Sequence, residues 1–80
     1  MSEAEILLKL TPLFQRVFED PSLVVTSVLN PDQVPGWNSL SHAHMLAEVE
    51  KDFGIRFTFR ELRSIQTTQD LITLLLSRRF

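Results

Sequence analysis

The sequence predicts an all-α protein: a four-helix bundle of three main helices and one short helix, with a long first loop. Three observations predict it. Apolar residues recur at spacings of three and four in three segments, the period of a helix buried along one side. Each helical segment is preceded by a residue suited to cap a helix start. Residues 23–28 have some strand character, but no second strand of comparable quality exists to pair with them.

The first helix is expected over residues 3–18. Ile6, Leu7, Leu10, Leu13, Phe14, Val17 and Phe18 fall on one face, and Ser2 with Glu5 fits a capping box. Pro12 conflicts with this, because it removes a helical donor and crowds the preceding turn. The apolar stripe keeps its phase across the proline, which favours one bent helix over a second short helix beginning at Thr11-Pro12. Residues 19–38 form the long loop, which contains Pro21, Pro31, Pro35 and Gly36. A loop of this length must be pinned, and Leu23, Val24, Val25, Val28, Leu29, Val34 and Trp37 are the expected anchors.

The second helix is expected over Ser39–Phe53, capped by Asn38 and ended by Gly54. Its buried stripe reads Leu40, Ala43, Leu46, Val49 and Phe53, which leaves Ser41, His42, His44, Glu48, Glu50, Lys51 and Asp52 as the polar remainder. Residues 55–57 form an extended link. Thr58 and Glu61 then open a short helix to about Arg63, and Thr67 with Asp70 opens the last one over 68–78. Leu71, Leu74 and Leu75 are expected inside the last helix, Ile72 at its margin, and Arg78 and Arg79 at its negative end.

Composition narrows the function. The 80 residues are read as one domain, 1–80. Leu, Val, Ile and Phe number 13, 6, 4 and 6, enough for a small core. Eight basic and ten acidic residues give a charge of −2, which argues against nucleic acid as a partner. Cysteine is absent, so disulfides, a thiolate nucleophile and Cys-ligated zinc are excluded. The longest apolar runs, such as Leu74-Leu75-Leu76, are too short to span a bilayer, and the acidic start does not resemble a signal peptide. A small cytoplasmic protein, monomeric by its size, is the expectation. The Met1 start and the charged, aromatic end at Phe80 favour a free-standing chain.

The segment Gly36-Trp37-Asn38-Ser39-Leu40 carries the chemistry. It sets a serine in the first turn of a helix, where up to four backbone N–H groups lack helical partners and the positive end of the dipole points out. A phosphate ester is favoured there. The Ser39 hydroxyl is expected to be exposed, with Leu40 anchoring the turn inward. Taken alone, a serine at this position is ordinarily just a helix-start residue.

Other constellations are weaker. His42 and His44 face different ways on a helix, and His44 with Glu48 makes no closed metal site, so a solvated helix face is the plain reading. Ser39 and His42 lack an evident third residue for a hydrolytic triad. Trp37 suits a partner contact or a plug packing the loop onto the bundle, and Met45 suits core filler beside the stripe or a contact. Arg56, Arg60, Arg63, Arg78 and Arg79 read as solvated charges with a basic bias.

The helix order, the long first loop and the Gly-x-x-Ser-Leu turn resemble the acyl carrier protein family. The run Leu46-Ala47-Glu48-Val49-Glu50-Lys51-Asp52-Phe53-Gly54-Ile55 and the entry Ile65-Gln66-Thr67-Thr68-Gln69-Asp70-Leu71-Ile72 are similar to the family's as well. The resemblance covers residues 5–76. It implies a non-catalytic four-helix carrier whose motif serine, here Ser39, takes 4′-phosphopantetheine from coenzyme A through a magnesium-dependent phosphopantetheinyl transferase. The arm's thiol would hold acyl or aminoacyl groups as thioesters, and the bundle interior offers shelter for an apolar chain. Acyl-transferring, ligating or condensing enzymes would be the partners, with Trp37, Asn38, Leu40, Ser41, His44, Met45 and Glu48 as contacts. The family motif reads Asp-Ser-Leu where this chain has Asn38, and the usually acidic start of helix II here carries Ser41, His42 and His44. These departures point to a specialised fatty-acid, polyketide or modified-lipid pathway. The alternatives are a peptidyl carrier of a non-ribosomal pathway and a helical interaction module without the arm.

Overall fold

The computed structural model describes residues 1–78, and all regular structure within them is helical. Helix α1 spans Glu3–Val17, α2 Ser39–Phe53, α3 Phe59–Ser64 and α4 Thr68–Ser77, with one 3₁₀ turn at Pro31–Gln33 inside the first loop. The expected positions of Arg79 and Phe80 lie outside the described residues. No helix among the described residues is long and apolar enough to cross a membrane.

All four α-helices open on a capping box, so local sequence fixes where each begins. In α1 the Ser2 N–H donates to Glu5 Oε1 at 3.0 Å, and the Glu5 N–H donates to Ser2 Oγ at 3.2 Å. The bond from the Ser2 backbone holds the Glu5 carboxyl below the usual carboxylate range. The Thr58 backbone does the same for Glu61, where Arg78 adds to the effect. Stability from such lowered carboxyls is present above the ordinary carboxylate range and is lost as pH falls through the folded-state value.

Helix α1 runs unbroken through Pro12, which sits on the exposed side. The helical bond missing there would have gone to Leu8, itself an exposed residue, where water can take its place. Helix α1 packs on α2 and α4. Ile6, Leu10, Leu13 and Phe14 meet Met45, Leu46, Val49 and Phe53 of α2, and Leu71, Ile72 and Leu75 of α4, in one continuous core. In α4 this reverses the expected roles of two residues: Ile72 is in the core and Leu74 is at its margin.

The first loop is pinned differently from the expectation. Val25, Val34 and Trp37 are buried, and Leu23 and Leu29 are half-buried, but Val24 and Val28 are exposed. Polar side chains complete the attachment. Gln15 Nε2 donates to the Leu23 carbonyl at 2.9 Å, and Thr11 Oγ1 accepts the Val25 N–H at 3.2 Å. From the far side, the fully buried Thr68 accepts the Leu29 N–H at 3.0 Å, and its hydroxyl lies 2.7 Å from the Thr26 carbonyl. Buried loop backbone needs such partners, and these three side chains supply them.

Candidate functional site

The site is the first turn of α2 and the residues leading into it. Gly36 has φ 87°, a left-handed turn that suits glycine, and it directs the chain down into Trp37. The indole is buried, with Phe14 edge-on at 5.7 Å between centroids and Phe18 at 5.5 Å. Trp37 is therefore the plug that fixes the loop to the bundle, which corrects its expected place among surface contacts. Met45, only 1% exposed, is likewise a core residue, because it falls on the same face as Leu46 and Val49.

Asn38 caps the helix with both sides of the box formed. Its Oδ1 accepts the N–H groups of Leu40 and Ser41, each at 3.0 Å. Ser41 Oγ accepts the Asn38 N–H at 2.9 Å and donates to the Gly36 carbonyl at 2.6 Å. Three of the four N–H groups at this helix start are thus already satisfied. Among the described residues, the Ser39 N–H is the one left at this turn. The expectation of several waiting donors is corrected, because the cap residues take them first. The dipole still favours negative charge at this end.

Ser39 is exposed, and its hydroxyl makes no hydrogen bond within the described residues. Leu40 points outward, at 82% exposure, and Ala43 is exposed too. Both were expected in the buried stripe. The buried stripe runs through Met45, Leu46, Val49 and Phe53, and half-buried His42 extends it by one turn at spacings of three and four.

His42 is a joint between three segments, not a solvated residue. The Trp37 indole N–H donates to His42 Nδ1 at 2.9 Å, and His42 Nε2 lies 2.9 Å from the Ile65 carbonyl. An indole is a donor only, so Nδ1 accepts and Nε2 carries the proton donated to Ile65. The two ring planes lie nearly parallel, with an interplanar angle of 20°. Both imidazole nitrogens are engaged, so neither is available to activate Ser39, and the pair makes no hydrolytic dyad. The spacing of His42, three and four from Met45 and Leu46, fits the edge of the buried face, but Leu40 and Ala43 offer a stripe of the same period.

An open cleft of about 450 Å³ lies beside Ser39, lined by Trp37, Asn38, His42, Ile65 and Gln66 among others. Further along α2, exposed His44 lies 3.7 Å from the Glu48 carboxylate, which is also 3.8 Å from Arg16. Arg16 reaches Asp52 at 3.4 Å, and Glu50 Oε2 accepts the Phe57 N–H at 2.7 Å. The acidic residues of α2 are therefore committed to contacts within the protein. Arg78 pairs with Glu61 and lies over the Phe57 ring, and Arg63 lies over the exposed Phe59 ring.

A small helical bundle that sets one free hydroxyl at the mouth of a cleft has the architecture of a carrier protein. The holo acyl carrier protein of Geobacter metallireducens, solved in solution, superposes with a TM-score of 0.80 at 34% identity, over 89% of this chain and 82% of that one. No protein-family model matches the chain, and no curated protein matches it. At that identity and coverage, the chain belongs to the acyl carrier protein family.

Proposed function

We propose that Ser39 is the attachment site of 4′-phosphopantetheine and that the protein carries acyl or aminoacyl groups as thioesters on that arm. One observation carries the reading: in a fold of this family, the hydroxyl that opens α2 is exposed, free of partners among the described residues and at the rim of a cleft. The solved relative is a holo form, which supports an arm in the family. The residues here fit such a group. Ser39 Oγ is accessible, its own N–H is open to a phosphodiester oxygen, and the helix dipole favours the negative charge. Attachment forms a bond from Ser39 Oγ to phosphorus and breaks the pyrophosphate link of coenzyme A. The nucleotide half leaves, and the serine proton passes to a base of the transferase. When bound, the arm supplies a terminal thiol on a flexible tether, which raises the local concentration of cargo at each partner.

The partners are a phosphopantetheinyl transferase and acyl-transferring, ligating or condensing enzymes of a specialised cytoplasmic fatty-acid, polyketide or modified-lipid pathway. Asn38, Leu40, Ser41, His44 and Glu48 form the contact surface, with exposed Leu40 as its apolar centre. Intact mass after incubation with coenzyme A, magnesium and a broad-specificity transferase tests the reading. The native chain gains the mass of the arm and Ser39→Ala does not. No gain in the native chain sinks the proposal and favours an armless interaction module.

A further inference from the structure

We propose that the Trp37–His42–Ile65 bridge is a closed gate between the cleft beside Ser39 and the bundle interior. It keeps cargo outside and so limits this carrier to short or polar acyl and aminoacyl groups. The inference rests on Ser39 carrying the arm and adds the class of cargo.

Trp37 and Ile65 both line the cleft and belong to the core, and half-buried His42 lines the cleft beside them. Ile65 is 2% exposed, and the Trp37 ring lies against fully buried Phe14. An apolar chain passing from Ser39 into the interior has to part Trp37 from Ile65. His42 joins the two, with one 2.9 Å contact to each. The bridge draws on three separate segments: the end of the first loop, the first turn of α2 and the link between α3 and α4. Opening it breaks at least one of the two contacts, which strips a partner from one imidazole nitrogen and from either the indole N–H or the Ile65 carbonyl. Polar groups left unpaired there oppose the opening. Cargo at Ser39 then lies in an open, wet cleft. A long apolar chain gains little there, whereas a short or hydroxyl-, carboxyl- or amino-bearing group loses nothing.

The test loads Ser39 with acetyl- or octanoyl-4′-phosphopantetheine from the corresponding coenzyme A thioesters. Loading is confirmed by mass, and methyl NMR spectra of Leu10, Leu71 and Ile72 are then recorded. In the native protein these core methyls keep the same shifts under both loads, and hydroxylamine cleaves both thioesters at similar rates. In His42→Ala the octanoyl load alone moves the core methyls and slows cleavage several-fold. Trp37→Phe keeps a buried ring while removing the N–H donor and part of the ring volume, and moves the same signals less, so the test stands even where His42→Ala folds poorly. Core methyls that shift under octanoyl in the native protein overturn the gate. So do variants that behave as the native chain does. Absence of any mass gain overturns the carrier reading instead and is seen before a spectrum is taken.

Discussion

The two ends of α2 are held by different forces. The far end is clamped by apolar burial and by α1: Val49 and Phe53 sit in the core, Lys9 lies 4.6 Å over the Phe53 ring, and Arg16 reaches Glu48 and Asp52. The near end is held by polar bonds, among Gly36, Asn38 and Ser41 and through His42. The difference teaches how a helix can be rigid at its start and still present a free group. Asn38 and Ser41 satisfy each other's backbone, so Ser39 between them has no structural task.

Five substitutions break or sharpen this contrast. Phe53→Ala should cost about 3–4 kcal/mol in urea unfolding, through a cavity at the clamped end. A loss near the cost of a cap would erase the distinction between the ends. Asn38→Ala should cost about 1–2 kcal/mol. Asn38→Asp should keep the cap and gain about 0.3–1 kcal/mol from the dipole, while speeding arm attachment. Arg16→Ala should cost no more than about 0.5 kcal/mol, because Arg16 is largely solvated, and the difference should shrink with added salt. Ser39→Ala should leave thermal stability within about 0.5 kcal/mol of the native chain. A larger drop would mean that the hydroxyl has a hidden structural role.

Much of this was legible in the chain itself. Helix α2 has the boundaries its caps predict, α1 ends one residue early at Val17, and the capping pairs at Ser2, Thr58 and Thr67 all form. Ser39 is exposed, as its place in the first turn of a helix predicts. What failed was the rule that apolar residues lie inside. Leu40 and Ala43 are a spaced apolar pair, yet both face solvent, while Met45 is buried and the polar His42 is half-buried on the opposite side of the turn. Periodicity alone cannot choose between two stripes of equal spacing when one begins with a side chain that is polar at its edges and flat across its faces. The bonds that make His42 acceptable inside come from Trp37 and Ile65, and the second lies 23 residues away. Such long-range pairing leaves no local pattern. The same holds for Thr11, Gln15 and Thr68, whose loop partners have no periodic signature.

Thr68 has a consequence that reaches beyond its own helix. One buried hydroxyl ties the middle of the first loop to the opening residue of α4, across a sequence distance of 39 residues for Leu29 and 42 for Thr26. The approach to Ser39 is thus moored from the opposite half of the chain. Thr68→Val, equal in shape but mute as donor and acceptor, would slacken that mooring and blur the presentation of a serine it never touches.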